Sequence, residues 1–265
     1  MRAISLLFVL ISLAGGVALY ARLLGAPPPT VELAGFATSL KGRTSSQRHN
    51  ALLAAKALDG QVVAPGAVFS FNGTVKAWSS DGGYVKAPVS YDGELIRAYG
   101  GGVCQTSTTL YDAALLAGLP IVERHSHVFV AHYAHPGMDA AVAQPKIDLR
   151  FRNPYPWPIR IRAGAAGDAL SVKIIGKEKP SQTVAMTSEV LGATIPERLT
   201  RVVERSGPTS GKVYVRAPGA QGCRVVTYRL FYEDGRELKR ERLSDDTYQA
   251  MNRVVQISEN QNSSE

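Results

Sequence analysis

The chain has 265 residues, of which 45% are hydrophobic and 20% are charged, and its formal net charge is +8 at neutral pH. This length and composition predict a globular protein with room for one sizeable domain and a smaller one. No basic run is interleaved with aromatic residues, so we expect no nucleic-acid partner. A moderate positive charge instead suits an anionic wall polymer or a lipid surface.

The N-terminal segment is predicted to anchor the chain in a membrane. After Arg2, an apolar run extends from Ile4 to Ala21, which is long enough for a span of roughly 17–25 residues. We expect residues 1–26 to be an uncleaved signal anchor with the bulk of the chain extracytoplasmic, and a cleaved signal on a secreted protein is the alternative. Residues 27–37, which begin with three prolines, are predicted to be a linker.

The first element after the linker is predicted to be a helix capped by Thr44 and ended by Asp59-Gly60. Its apolar residues recur at helical spacing and predict one buried stripe: Ala51, Leu52, Ala55 and Leu58. Residues 67–72 then predict a strand, because a Pro-Gly turn precedes alternating apolar residues.

A glycine run, Gly100, Gly101 and Gly102, leads the chain to Cys104, and the residues that follow predict a helix. A thiol in the first turn of a helix lies near free backbone N–H groups and the positive end of the helix dipole, and both favour the nucleophilic thiolate. Thr106, Ser107 and Thr108 in this turn are weak helix formers, which favours a role other than helix stability. The candidate binding residues of the turn are Gln105, Thr106, Ser107 and Thr108.

After this helix, residues 121–133 predict a long strand whose alternation places five side chains on one face: His125, His127, Phe129, Ala131 and Tyr133. Further short strands follow up to residue 175. These elements predict an α+β fold, with a mixed or antiparallel sheet and a central helix after the glycine run, followed by a small β domain.

The predicted boundaries follow shifts in composition along the chain. They give an α+β domain, a polar connector, a small β module with a tight Asp-Gly turn, and a disordered polar tail. The ranges are, in that order, 38–176, 177–210, 211–257 and 258–265.

Several blocks of the sequence resemble the VanW family, which is named from vancomycin-resistance gene clusters. The matching blocks are Arg48 with Asn50, Pro65 to Asn72, Gly82 to Tyr84, Gly100 to Ala114, Glu123 to His127, Tyr133, Pro136 to Ala140 and Asp148 to Asn153. The resemblance implies an address in the cell envelope. Residues 211–257 are similar, more loosely, to the G-five modules of surface proteins in Gram-positive envelopes.

The order of a cysteine at a helix start, a histidine and then an acid is similar to that of papain-like and transglutaminase-like enzymes. In this hypothesis Cys104 is the nucleophile, His127 the base and Asp139 the residue that orients the histidine, with Asp148 as the second choice of acid. The glycines before Cys104 would let a substrate backbone approach closely. Arg124 and His125 are further candidates for substrate contact; for Arg124, an ion pair with Asp139 and a plain surface ion pair are the alternatives.

Three alternatives for Cys104 stay open at this stage. It can be a small buried apolar residue, or it can pair with Cys223, the other cysteine of the chain. Cys104, His125, His127 and Asp139 can instead bind zinc, although their spacing is not that of a structural zinc site, so we expect neither metal nor cofactor.

The sequence therefore leaves two functions open. The first is a hydrolase or acyltransferase on amide bonds of peptidoglycan peptides. The second is a non-catalytic wall-binding protein, in which free N–H groups after the glycine run hold an anionic group of peptidoglycan or of another wall polymer.

Overall fold

A computed structural model describes residues 30–91, 94–193, 200–206, 213–217 and 219–259, which contain fifteen strands and three helices. The helices are α1 (Ser45–Leu58), α2 (Phe71–Val75) and α3 (Val103–Leu116). The strands are β1 (Val31–Ser39), β2 (Val62–Val63), β3 (Val68–Ser70), β4 (Lys86–Tyr91), β5 (Glu94–Tyr99), β6 (Ile121–Glu123), β7 (Arg150–Arg152), β8 (Ile159–Ala166), β9 (Ala169–Gly176), β10 (Thr183–Val190), β11 (Thr200–Ser206), β12 (Val213–Ala217), β13 (Cys223–Glu233), β14 (Arg236–Tyr248) and β15 (Arg253–Glu259).

The main core lies between α3 and a four-stranded antiparallel sheet in the order β1-β9-β8-β2. Strands β8 and β9 alternate buried and more exposed positions, so that one face of the sheet meets the helices. The apolar residues of that face are fully buried: Ile159, Ile161, Leu170, Val172 and Ile174. Helix α3 is buried at twelve of its fourteen residues, and it packs against β1, β9 and α1.

Helix α1 begins where the sequence predicts it, because Thr44 and Gln47 form a capping box. Three members of the predicted stripe, Ala51, Ala55 and Leu58, are fully buried. Leu52 is 42% exposed, and Ala54 takes the core position instead. The predicted strand at residues 67–72 is shorter than expected, because the chain turns into α2 at Phe71.

The remaining strands form small separate sheets. Strands β3-β7-β6 make one of them, in which Phe69 and Phe151 stack at 4.9 Å, and β4-β5 is a hairpin. Towards the C-terminal end, β10-β13-β14 is antiparallel, whereas β11-β15-β12 contains the parallel pair β11 and β15. The sheet β10-β13-β14 packs against α3 through β10.

The predicted α+β class is wrong. The described residues form several small, mainly antiparallel sheets with three helices, and they show no papain-like or transglutaminase-like core in which one sheet surrounds a central helix. The fold is mostly β because the strands after α3 do not form one large sheet around it: β8 and β9 complete the sheet on which α3 packs, and the others enter separate small sheets.

The predicted strand at residues 121–133 is also wrong beyond Glu123, where β6 ends. The backbone N–H of His127 donates to the Asp139 carboxylate at 2.7 Å, so a side chain takes the place of a neighbouring strand. The shared strand face predicted for the residues from His125 to Tyr133 therefore does not form.

The predicted anchor, residues 1–26, lies outside the described residues, as do the first part of the linker and most of the polar tail. Within the described part of the chain, none of the helices is long and apolar enough to cross a membrane.

Candidate active site

Cys104 is the second residue of α3 and is half-buried, with a free thiol. Its Sγ atom donates to the Val142 carbonyl at 3.4 Å, which holds the thiol towards the segment that follows Asp139. Cys223 lies at the start of β13 and is also free, so the two cysteines do not form a disulfide.

The three glycines before Cys104 are required by packing. Gly100 and Gly102 have positive φ angles of 87° and 108°, which side-chain-bearing residues rarely adopt. A Cβ atom at Gly101 would lie 2.6 Å from the Pro88 carbonyl, and one at Gly102 would overlap the backbone of Gln47. The run therefore carries the chain through a tight passage between α1 and β4 to the start of α3.

The polar residues of the first turn of α3 lie inside the protein and bond to neighbouring segments. Thr106 Oγ1 donates to the Ala51 carbonyl at 3.0 Å and ties α3 to α1. Ser107 Oγ donates to the Ala140 carbonyl at 2.6 Å, and Thr108 Oγ1 accepts the Ala140 N–H at 3.0 Å. These hydroxyls thus fix the Asp139 segment against the helix that carries Cys104, and they face protein groups.

His127 and Asp139 form a close pair beside the thiol. His127 Nδ1 lies 2.5 Å from Asp139 Oδ2, and the same oxygen accepts the His127 backbone N–H. This double contact orients the imidazole and leaves Nε2 on the opposite side of the ring. Tyr133 approaches that nitrogen, with its hydroxyl oxygen 3.4 Å away.

The interactions among the three groups favour their charged forms. Burial raises the pKa of Cys104, but the hydrogen bond and the charge of His127 outweigh it and lower that pKa below its ordinary value. Burial lowers the pKa of His127, but hydrogen bonds with Asp139 and Cys104 raise it to about 10. Burial likewise raises the pKa of Asp139, and His127 and Arg124 reverse this and lower it. The arrangement favours a thiolate and an imidazolium beside a carboxylate.

Two further residues hold the Asp139 carboxylate in place. Arg124 Nη2 lies 3.1 Å from Asp139 Oδ1, and its Nε donates to the Asp139 carbonyl at 2.7 Å. The Tyr248 hydroxyl donates to the same Oδ1 and accepts the Gly137 N–H. Arg124 also pairs with Asp246 at 2.5 Å, so strand β14 reaches the site at two positions.

Sequence reasoning missed Tyr248 and Asp246, since nothing local in the sequence links them to a residue more than a hundred positions away. It also missed Arg43, whose guanidinium carbon lies 4.6 Å above the Tyr133 ring. Arg43 Nε donates to Gln105 Oε1 at 2.9 Å, and Gln105 directly follows Cys104. The signal available for Arg43 was only its position immediately before a helix cap.

Other predicted candidates lie apart from this cluster. His125 is exposed and bonds Glu123 at 3.1 Å, and it points to no other candidate residue. Asp148 accepts from Ser70 Oγ and from the Asn72 N–H, which stabilises the start of α2. In the part of the chain that the structure describes, no cluster of three or more His, Cys, Asp or Glu residues is arranged to hold a metal ion.

Comparisons with known families match two regions of the chain. Residues 46–175 match the model described as VanW like protein, and residues 194–257 match the G5 domain. Two solved structures match part of the chain: the crystal structure of HP0197-G5 and the IgA1 protease G5 domain structure. They are 19% and 23% identical to this chain, with TM-scores of 0.15 and 0.19. They cover 29% of this chain each, and 95% and 90% of their own lengths.

Two curated relatives match the region that contains the site. The chain is 40% identical over 149 residues to the uncharacterized protein YoaR of Bacillus subtilis (strain 168), covering 56% of this chain and 49% of YoaR. It is 36% identical over 110 residues to the vancomycin B-type resistance protein VanW of Enterococcus faecalis (strain ATCC 700802 / V583), covering 39% of this chain and 40% of that protein. The chain thus spans half or less of the length of these relatives. The chain is thus VanW-like over residues 46–175 and G5-like over residues 194–257.

Proposed function

We propose that this VanW-like protein is a cysteine-dependent hydrolase or acyltransferase of the cell envelope that acts on amide bonds of peptidoglycan peptides. The observation that carries the proposal is the 2.5 Å contact between His127 Nδ1 and Asp139 Oδ2, together with the coupling of His127 to Cys104, which lowers the pKa of the thiol and raises that of the imidazole. The envelope address comes from the VanW and G5 matches and from the resistance protein among the relatives.

In this mechanism the Cys104 thiolate attacks the carbonyl carbon of the amide. The negative charge that develops on the carbonyl oxygen would be stabilised by the Cys104 backbone N–H and by the positive end of α3. In the described residues, the Cys104 N–H donates to no other group. His127 donates its Nε2 proton to the amine as the C–N bond breaks, which leaves an acyl thioester on Cys104.

The second half of the reaction returns the enzyme to its starting state. Water or an acceptor amine gives a proton to His127 Nε2 and attacks the thioester carbonyl, and the thiolate leaves. Attack by water makes the protein a hydrolase, and attack by an amine makes it an acyltransferase. Throughout, Asp139 stabilises the imidazolium and keeps its ring in one orientation.

The test is the alkylation rate of Cys104 as a function of pH, in the full chain with Cys223→Ser so that one thiol remains. We expect the rate to rise with a midpoint well below the free-thiol pKa of ~8.5. His127→Ala should move the midpoint up towards that value, because it removes the group that lowers the pKa of Cys104. His125→Ala is the matched control and should leave the midpoint unchanged, since the His125 ring bonds only to Glu123 in the part of the chain that the structure describes.

Turnover is tested with purified peptidoglycan, whose released or newly joined peptides are identified by mass spectrometry. Cys104→Ala should abolish all new products. A thiol that stays inert until the protein unfolds, or products that persist in Cys104→Ala, would overturn the catalytic proposal and favour wall binding without catalysis.

A further inference from the structure

Arg43 is a half-buried cation that lacks an acidic partner. It lies between β1 and the cap of α1, and it is held by the hydrogen bond to Gln105 and by the Tyr133 ring. The nearby Arg48 pairs with Asp168 at 2.6 Å, whereas Arg43 forms no ion pair with any of the acidic side chains that the structure describes.

The groups that hold Arg43 belong to the candidate active site. Gln105 is almost fully buried, and its amide nitrogen donates to Thr38 Oγ1 at 3.1 Å and to the Ser39 carbonyl at 2.9 Å. Its Oε1 atom is therefore fixed in the direction of Arg43. Tyr133 carries the guanidinium on its ring face while its hydroxyl group approaches His127 Nε2.

Arg43 and the Cys104 thiol both affect the pKa of the Tyr133 hydroxyl group. Burial raises the pKa of Tyr133 well above its ordinary value, the charge of Cys104 raises it further, and Arg43 acts in the opposite direction. Burial also lowers the pKa of Arg43, which shows that the guanidinium is partly removed from water. Holding a cation there without a counterion is unfavourable, so the site gains free energy when an anion arrives.

The geometry of the guanidinium selects the kind of anion. Its Nε is already used by Gln105, and the two Nη groups form a planar pair of donors. Such a pair matches the two oxygens of a carboxylate, and the aromatic ring behind it keeps the plane in one orientation.

We infer that Arg43 binds a free carboxylate of the substrate next to the carbonyl that Cys104 attacks. The inference rests on the proposed function and adds the substrate class to it: peptides that carry an unblocked carboxylate close to the scissile amide, in preference to their amidated forms. Gln105 and Tyr133 are the positioning residues of this subsite.

The test compares two small alkylating reagents of nearly equal size, iodoacetate, which carries a carboxylate, and iodoacetamide, which is neutral. Both alkylate thiols, and Cys104 is the one thiol left in the Cys223→Ser chain; the measured quantity is the ratio of their rates at Cys104. We expect Arg43→Gln to lower the iodoacetate to iodoacetamide ratio by about tenfold, the effect of one charge-assisted hydrogen bond. Normalising to iodoacetamide removes any general change in the reactivity of the thiol.

Arg160→Gln is the matched control, because it removes one exposed arginine of β8 that donates to the Gly60 carbonyl. It should leave the ratio unchanged, and Arg43→Lys should retain part of it. In the unmodified Arg43 protein, added salt should lower the ratio, which tests the attraction without any change at Arg43.

The outcomes separate the two proposals. If both reagents modify Cys104 well below the ordinary thiol pKa and Arg43→Gln leaves their ratio unchanged, the carboxylate subsite is wrong while the catalytic thiol stands. If neither reagent modifies the native thiol, the proposed function is wrong and the subsite is rejected with it.

Discussion

His127 is the residue that lowers the pKa of Cys104 most. Its pKa is lowered by burial but raised to about 10 by Asp139 and Cys104 together. Because the folded pKa lies above the unfolded value of ~6.5, the resulting stabilisation is fully present below that value and is lost as the pH rises through about 10.

Cys104→Ala should therefore lower the pKa of His127, since the variant removes one of the two groups that favour the imidazolium. The upper end of the stabilised pH range should move down with it. The measurement is an NMR titration of the His127 ring nitrogens in both proteins. Cys223→Ala removes the other thiol and should leave the titration unchanged; an unchanged titration in Cys104→Ala would mean that the thiol and the imidazole do not interact.

At the scale of the elements, the start of α3 depends on close backbone packing. Gly102 combines a φ angle of 108° with a position where a Cβ would meet the backbone of Gln47. Gly60 has a comparable φ angle of 82°, but a Cβ there would meet nothing within 4 Å. Comparing Gly102 with Gly60 therefore separates the free-energy cost of the positive φ angle from that of the close backbone approach.

Gly60→Ala should cost ~1–2 kcal/mol, the strain of placing a side chain at positive φ. Gly102→Ala should cost ~1–3 kcal/mol more, because Gln47 presents backbone atoms that cannot turn away. Urea unfolding midpoints measure both values. Gly102→Ala should also slow alkylation of Cys104, whose helix start is displaced; equal costs for the two variants would contradict the packing argument.

The same elements show what could be predicted from the sequence. The cap at Thr44 and the helix after the glycine run depend on neighbouring residues, so local patterns were sufficient to find them. The residues from Arg124 to Tyr133 alternate as a strand would, yet β6 ends at Glu123 because Asp139 accepts the His127 N–H. That competition between a side chain and a strand partner is not visible in local spacing.

At the scale of the whole molecule, the candidate site is built from both matched regions. Cys104, His127 and Asp139 lie within residues 46–175, whereas Asp246 and Tyr248 lie within the G5 match at residues 194–257. Arg229 of β13 adds a further contact, since its Nη1 donates to the Leu119 carbonyl at 2.8 Å. Contacts between residues this distant in sequence could not be read from its periodicity.

Tyr248→Phe tests whether strand β14 stabilises the charged form of Asp139. The pKa of Asp139 is raised by burial, but His127, Arg124 and Tyr248 together lower it below its ordinary value. Its stabilisation is thus present above the unfolded value of ~3.9 and is lost as the pH falls through the folded pKa. Removing the hydroxyl group, which donates to Asp139, should cost ~1.5–3 kcal/mol at neutral pH.

In acid, where Asp139 is protonated in both proteins, the difference in the free energy of unfolding should shrink to the smaller effect of the Gly137 N–H that loses its acceptor. Urea unfolding measured from neutral pH down through the folded pKa of Asp139 gives this difference. Tyr228→Phe is the matched control on β13, because its ring lies under Arg240 and its hydroxyl does not contact Asp139. A cost for Tyr248→Phe that is independent of pH would show that the hydroxyl group does not stabilise the charged form of Asp139.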